Sequence, residues 1–423
     1  MDLFTELEWR GLVYDATEGV QDVLARERLT GYIGFDPTAP SLHVGSLLVM
    51  TALAHVQRCG HSPIAVIGGG TGMIGDPSGK TVERQLLTVE QVETNVQGIR
   101  AQLSRFLDFE SKSAPARLVN NAEWLSKLDA ITFMRDVGKH FTVNSLIGKE
   151  AISRRLESEE GISFTEFSYP LLQAYDYLVL HDRYQCTLQM GGSDQWGNIL
   201  AGVDLIRRVR GAKAHALVFP LVTTASGVKF GKTEAGAVWL DAKLTSPYRF
   251  YQFWLNTDDR EVIAYLKYFT WLSPAQIGEL EESLRTAPEQ RKAHKELARQ
   301  VTAMLHGEAE LEKAVRASEV LFGKEISGLG VKEILDIFAD VPSTELEKSR
   351  LESDGFTLTD ALVLSGLAPS KGEAKRLVQG GGVAVNNLRA DDARKAITMS
   401  EFIEGQVLVL RKGAKHYHVL RVK

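Results

Sequence analysis

The run Val228-Lys229-Phe230-Gly231-Lys232-Thr233 sets two lysines in a short loop flanked by Gly227 and Gly236. Lysine is a mobile point charge, suited to following a phosphate as its charge develops. Far upstream, Phe35-Asp36-Pro37-Thr38-Ala39-Pro40-Ser41-Leu42-His43-Val44-Gly45 reads as a strand end, a two-proline loop and a helix start. A helix start presents open amides and partial positive charge, and Gly45 would let a flat base approach the backbone. A nucleoside triphosphate would fit there. Tyr169, Gln173 and Asp176 follow the i, i+4, i+7 spacing of one helix face, on a segment that also carries Leu171, Leu172 and Leu178. A polar stripe on a helix packed against a sheet calls for a ligand. Taken singly, the lysine loop is more simply a solvated hairpin tip, and the helix start a capped core helix with an idle His43.

Two other glycine-rich stretches lead elsewhere. Gly70-Thr71-Gly72-Met73-Ile74-Gly75 satisfies the dinucleotide pattern G-x-G-x-x-G after a strand, but Asp76-Pro77-Ser78-Gly79 stands where that pattern needs a helix. Gly79-Lys80-Thr81 imitates the end of a phosphate-binding P-loop, yet Ile74 stands where its first glycine belongs. A dehydrogenase reading fails at Pro77.

The elements that must position these residues alternate as strand and helix from Gly31 to Pro220. Strands are expected at Gly31-Phe35, Pro63-Gly68, Gln185-Met190 and Ala216-Leu221. Helices are expected near Leu42-Cys59, Phe164-His181 and Trp196-Arg208. That is a doubly wound parallel-sheet (Rossmann-like) α/β domain over residues 1–245, with a mostly helical insertion at about 85–163. After Pro247 the pattern turns helical, with start signals at Ser246-Pro247, Ser273-Pro274-Ala275-Gln276 and Thr286-Ala287-Pro288-Glu289, the last two read as capping boxes. Residues 246–325 are therefore expected as an α-helical domain and 326–354 as a charged, weakly helical linker. A small α+β domain is expected over 355–423, opening on Ser370-Lys371-Gly372-Glu373 and turning at Gly380-Gly381-Gly382.

With 44% apolar and 24% charged residues the chain is an ordinary globular protein, which excludes disorder and repeat arrays. Its first residues, Met1-Asp2-Leu3-Phe4-Thr5-Glu6, lack the basic start and apolar core of a signal peptide, so a cytoplasmic protein is expected. Val44 to Val56 is too short to span a bilayer, so no membrane partner is expected. Cys59 and Cys186 stand far apart without metal or disulfide spacing. His416 and His418 could share a strand face but lack further ligands, and no metal site is expected. Residues 355–423 hold eleven Lys and Arg against six Asp and Glu; with −5 on the whole chain, residues 1–354 carry −10. A basic tail on an acidic body suggests a polyanionic partner.

Taken together, the helix start and the lysine loop resemble the HIGH and KMSKS signatures of class I aminoacyl-tRNA synthetases. Three more stretches narrow this: Tyr32-Ile33-Gly34-Phe35-Asp36-Pro37-Thr38, Gly75-Asp76-Pro77-Ser78-Gly79-Lys80, and Gln189-Met190-Gly191-Gly192-Ser193-Asp194-Gln195-Trp196-Gly197-Asn198. In this order they are similar to the bacterial-type tyrosyl-tRNA synthetases, and the resemblance covers nearly the whole chain. It implies L-tyrosine, ATP and tRNA(Tyr) as substrates, a homodimer formed through the insertion, an anticodon-binding role for the helical domain, and a C-terminal RNA-binding module like that of a small-subunit ribosomal protein. Magnesium would arrive with ATP, and no tightly bound cofactor is implied.

Residue by residue, the resemblance places Tyr32 and Asp176 on the substrate phenol and Tyr169, Gln173 and Asp76 on its ammonium group. It places Gln195 near the reacting carboxylate and Gly192 and Asp194 on the ribose. Asp36 and Gly45 join the ATP site, Thr38 and His43 take the terminal phosphate, and Lys80, Arg84, Lys229, Lys232 and Thr233 gather around departing pyrophosphate. Lys371, Lys375 and Arg376 would meet tRNA. The second histidine of HIGH is Ser46 here, and Ile33 and Val49 cannot hydrogen-bond a ribose, so weaker ground-state ATP binding is expected. The nearest rival is tryptophanyl-tRNA synthetase, disfavoured by Tyr32 and Asp176. A non-catalytic RNA-binding protein is disfavoured by the retained His43, Lys80, Arg84, Lys229 and Lys232.

Overall fold

The computed structural model describes residues 2–78, 87–157, 161–223, 230–233, 236–321, 323–324, 326, 328–339, 341–352, 355–413 and 416–423. These divide into two compact units, Met1–Thr245 with Asn256–Leu305, and Ser246–Leu255 with His306–Lys423.

The first unit is built on a six-stranded sheet of order β1-β6-β5-β2-β3-β4: β1 (Asp15–Ala16), β2 (Thr30–Phe35), β3 (Ser62–Ile67), β4 (Arg117–Asn120), β5 (Cys186–Gly192) and β6 (His215–Phe219). All neighbours are parallel except the antiparallel edge pair β1 and β6. Strands covered on both faces must be apolar throughout, and β3 and β6 are (Ile64 to Ile67, Ala216 to Phe219, all buried). The chain leaves β2 to one side for β3 and later returns on the other side for β5. That reversal opens a crevice at the carboxyl ends of β2 and β5, where ligands bind in sheets of this type.

Helices α1 (Leu3–Trp9), α2 (Val44–Arg58), α3 (Val89–Leu103), α4 (Glu150–Leu156), α5 (Phe164–Tyr184) and α6 (Trp196–Arg210) belong to the same unit. α2 comes directly after β2 and buries Val44, Leu47, Leu48, Met50 and Leu53. α5 and α6 share a core with Tyr32, Ile64 and Val66. The expected strand Gln185-Met190 begins one residue later, because Gln185 takes a left-handed conformation (φ 53°) that ends α5. The insertion is not all helix: β4 lies within it and adds an edge to the sheet. Residues 256–305 add helices Val262–Phe269, Pro274–Thr286 and Lys292–His306. Ser273 caps the second as expected, reciprocally with Gln276. The Thr286 box does not form. Thr286 Oγ1 instead donates back to the Glu282 carbonyl at 2.8 Å, and only a single 3-10 turn, Pro288–Gln290, comes next.

The second unit centres on a five-stranded sheet of order β11-β10-β12-β13-β9, after a two-stranded ribbon in the first unit, β7 (Lys232–Thr233) and β8 (Gly236–Ala237). Its strands are β9 (Ser343–Leu346), β10 (Val383–Val385), β11 (Leu388–Arg389), β12 (Val407–Lys412) and β13 (His416–Val422), and its helices α7 (Pro247–Leu255), α8 (Glu308–Leu321), α9 (Val331–Ile337), α10 (Leu358–Leu364) and α11 (Lys371–Gln379). Alternation along β12 and β13 splits the sheet's faces. Leu408, Leu410 and Leu420 pack with Leu358, Leu362 and Val378 on one side. Val407, Val409 and Val419 pack with Val320, Ile334 and Phe338 on the other. Residues 326–354, expected as a linker, thus supply α9 to the core and β9 as a strand parallel to β13. The expected helical domain 246–325 is likewise divided between the two units.

Candidate active site

A pocket of about 900 Å³ opens where β2 and β5 diverge. Its lining includes Tyr32, Asp36, His43, Gly45, Asp76, Tyr169, Gln173, Asp176, Gly192, Asp194 and Gln195, all singled out from sequence. Ile33, Ser46 and Val49 line it as well. Thr38 does not; it is exposed on the loop after β2. Lys80, Arg84 and Lys229 lie outside the described residues, and Lys232 and Thr233 are described only as backbone of β7.

The floor is set by α5. Its polar stripe faces the sheet as the spacing predicts: Tyr169 and Asp176 are buried, and Gln173 reaches the same pocket. The Asp176 carboxylate accepts from Trp124 Nε1 at 2.7 Å and from Asn121 Nδ2 at 2.9 Å. Asn121 is itself fixed, accepting from the Gly70 amide at 2.7 Å and donating to Thr71 Oγ1. Burial pushes the Asp176 carboxyl up to about 7, while these two hydrogen bonds pull it back. Beside it Tyr32 sits edge-on to Tyr177, ring centroids 5.3 Å apart. Burial and the nearby Asp176 push the Tyr32 phenol well above its ordinary value. Among the described residues its hydroxyl has no hydrogen-bond partner, and neither does Gln173 Oε1. Buried polar atoms are nearly always paired, so unmet ones that face a cavity mark where a polar ligand completes the set.

Three carboxylates stand above this floor. Tyr169 donates to Asp36 Oδ2 at 2.7 Å and Thr71 Oγ1 to Asp36 Oδ1 at 2.8 Å. Gln195 Nε2 donates to Asp76 Oδ2 at 2.7 Å, and the Ser78 amide to Oδ1 at 2.9 Å. Asp194 comes two residues after Gly192, where an added Cβ would lie 2.7 Å from Asp194 Oδ1. The glycines of the false dinucleotide motif serve packing. A Cβ on Gly70 would meet Leu125 Cδ1 at 2.9 Å, and one on Gly72 would meet Pro37 Cδ at 2.9 Å.

The opposite wall is the start of α2. His43 is its N-cap, and His43 Nδ1 accepts from the Gly45 amide at 3.0 Å. An accepting Nδ1 leaves the neutral ring's proton on Nε2, which makes a donor at a helix N-terminus. A side chain at Gly45 would sit 2.7 Å from the His43 ring, so packing against His43, and not only the approach of a base, requires glycine. The lysine loop comes back to this point. Val44 N donates to the Val238 carbonyl and Leu240 N to the Leu42 carbonyl, both at 2.9 Å. Gly231 (φ +80°) packs so closely that a Cβ would lie 2.5 Å from Val44 Cγ2. Two segments distant in sequence are thereby adjacent in space.

Sequence reasoning does not reach Asn121 and Trp124. Asn121 and Trp124 come just after β4, and no residue pattern in an apparently helical insertion signals their direction. Lys371, Lys375 and Arg376 lie on the exposed face of α11 while Ala374 and Val378 are buried; Lys371 pairs with Asp360 at 2.6 Å and Arg376 with Glu373 at 3.3 Å. His418 Nε2 lies 2.9 Å from Thr344 Oγ1.

Residues 24–323 match the family described as tRNA synthetases class I (W and Y). The chain belongs to this class I synthetase family. Residues 333–420 match the tyrosine–tRNA ligase SYY-like C-terminal domain. Among similar proteins, the tyrosine–tRNA ligase of Roseiflexus castenholzii is 57% identical over 99% of both chains. That of Bacillus caldotenax is 52% identical over the full length of both. A C-terminally truncated mitochondrial tyrosyl-tRNA synthetase of Aspergillus nidulans superposes with a TM-score of 0.69 at 29% identity, covering 76% of this chain and 94% of that one. The class I assignment accounts for the helix start and the lysine loop meeting at one pocket, and it removes the dehydrogenase alternative.

Proposed function

We propose that the chain is a tyrosine–tRNA ligase, which joins L-tyrosine to ATP and then to the 3′ end of tRNA(Tyr). One observation carries the amino-acid assignment: at the pocket floor a Tyr32 hydroxyl without a hydrogen-bond partner among the described residues stands beside the buried Asp176 carboxylate. A phenol would donate to Asp176 and accept from Tyr32, satisfying both. An indole has a donor but no acceptor, and would leave Tyr32 unmet. Full-length relatives named tyrosine–tRNA ligase support the same choice.

Asp76, Tyr169 and Gln173 are assigned to the substrate ammonium, with Gln195 beside them towards the carboxylate. That carboxylate is already ionised at neutral pH, so no base is needed. Its oxygen attacks the α-phosphorus of ATP as the bond to pyrophosphate breaks, giving tyrosyl adenylate. The terminal hydroxyl of tRNA then attacks the acyl carbon and AMP leaves. Alignment of bound reactants can contribute about 7–11 kcal/mol, and each donor aimed at developing charge roughly 3 kcal/mol. His43, Lys80, Arg84, Lys229, Lys232 and Thr233 are assigned to that charge, and Asp36, Thr38, Gly45, Gly192 and Asp194 to the rest of ATP. Magnesium enters as part of the ATP substrate complex.

We assign Lys371, Lys375 and Arg376 to tRNA contact and the reaction to the cytoplasm, where ATP and tRNA meet. A homodimer is supported by an apolar surface on the insertion and its margin: Ile131 is 75%, Val143 59% and Phe164 68% exposed. Phe164→Asp is expected to give monomers in sedimentation.

The deciding experiment is amino-acid-dependent ATP–pyrophosphate exchange without tRNA. Exchange with tyrosine, and with neither phenylalanine nor tryptophan, is expected. Exchange with tryptophan would reassign the substrate, and none with any of the three would favour a non-catalytic RNA-binding role.

A further inference from the structure

Among the described residues, Arg154 is the one lysine or arginine that lines the pocket, whose carboxyl groups are those of Asp36, Asp76, Asp176 and Asp194. α4 holds it there through three neighbours that recur every third residue on one face. Lys149 Nζ donates to the Gly197 carbonyl in the first turn of α6. Ile152 is fully buried with Leu146 and Leu171. Arg155 pairs with Glu166 of α5 at 2.9 Å, both side chains buried. Arg154 lies off that face. Its guanidinium reaches Glu150 Oε1 at 2.5 Å, in a pair whose side chains are 55% and 85% exposed. Such a pair adds little to stability and exchanges readily for a stronger anion. A phosphate is that anion, because the guanidinium fork meets it with two charge-assisted hydrogen bonds.

Resting on the tyrosine–tRNA ligase reading, we infer that Arg154 binds a backbone phosphate of the tRNA 3′ end as it enters the pocket. The elements that anchor α4 argue for this source over ATP. α4 is tied to α5 and α6, whereas the triphosphate is assigned to the start of α2 and the loop hydrogen-bonded to it. An anion meeting the exposed Arg154 side chain is the second substrate, guided over a carboxylate-rich pocket that would otherwise repel it.

Arg154→Gln removes the charge and Arg154→Lys keeps it, and both exposed substitutions leave the anchoring face intact. Two readouts are compared: tyrosine-dependent exchange without tRNA, and single-turnover transfer from enzyme-bound tyrosyl adenylate to tRNA. For Arg154→Gln, transfer is expected to fall roughly five- to ten-fold, well beyond any change in exchange. The dependence of log tRNA affinity on log salt becomes shallower by about 1, with most of both effects restored in Arg154→Lys. A loss seen in exchange as a raised ATP KM would give the cation to the triphosphate and overturn the tRNA contact. Equal transfer rates and salt slopes in all three proteins would overturn phosphate binding altogether. Absence of tyrosine-dependent exchange in the unsubstituted protein would instead sink the functional reading, so the two failures are distinguishable.

Discussion

Asp176 sits where two demands conflict. A carboxylate must be ionised to accept the phenol, yet burial moves its carboxyl from 3.8 up to about 7. The folded protein therefore keeps a proton that the unfolded chain releases, and this group's contribution to stability is lost as pH rises from about 4 through about 7. Bound tyrosine reverses the balance by hydrogen-bonding the charged form. Tyrosine affinity is accordingly expected to fall as pH drops below about 7, and the tyrosine-induced rise in Tm to be larger at pH 8 than at pH 6. A pH-independent affinity in calorimetry would show that Asp176 stays ionised throughout. His43→Ala is expected to slow adenylate formation with little change in tyrosine affinity, because His43 is assigned to the phosphates; equal losses would place it in the amino-acid pocket. Ser46→His, which adds a donor within the first turn of the same wall, is expected to lower the ATP KM, and an unchanged or raised value would count against it. The i, i+4, i+7 stripe on α5 is legible in the sequence because helix geometry fixes which residues share a face. Asn121 and Trp124 are not, since their role depends on β4 joining the sheet, which is a pairing between distant segments.

At the scale of elements, what holds the site is often a single side chain meeting backbone ends. The buried Arg10 guanidinium donates to the carbonyls of Lys267, Thr270 and Leu272 at 2.7, 2.8 and 3.1 Å, and to Glu6 at 2.7 Å. It fastens α1 to the last turn of helix Val262–Phe269 and the segment after it. Arg10→Met keeps the stem but strands three carbonyls and a carboxylate, and is expected to cost about 3–5 kcal/mol in denaturant unfolding. The KM for tyrosine is expected to stay unchanged, which separates a structural role from one in the pocket. Strands and long helices are legible to within a few residues because apolar runs and periodic faces are local signals. The Thr286 box fails although its residues match those at Ser273, because a cap needs a helix beyond it. Ser273 precedes a full helix, whereas Pro288 opens only one turn.

Across the whole molecule, charge and composition foretell a basic terminal module but not its borders. Residues 326–354 look like a connector because their charge is high, yet Val331, Ile334 and Ile337 are spaced to bury one face of α9. Deleting residues 355–423 would remove β10 to β13 and uncover Val320, Ile334 and Phe338. The truncated protein is therefore expected to aggregate, not to remain a clean synthetase body, as light scattering would report. Replacing Lys371, Lys375 and Arg376 together by alanine is the sharper test of RNA binding. tRNA affinity and its salt dependence are expected to fall while exchange without tRNA is maintained.

The path of the chain between its two units has a further consequence. It crosses at residues 245/246, returns at 255/256 and crosses again at 305/306. The terminal module thus borrows α7 and α8 from sequence that precedes it. Of these, α8 ends against the hairpin turn at Asn387, whose side chain donates to the Val320 and Lys324 carbonyls at 2.8 Å. A gene splice that exchanged only the last seventy or so codons would transplant a sheet without the helices it was shaped to cover. Working chimaeras are expected only when α7 and α8 travel with it, so this terminal piece is inherited as a partnership and not as a cassette.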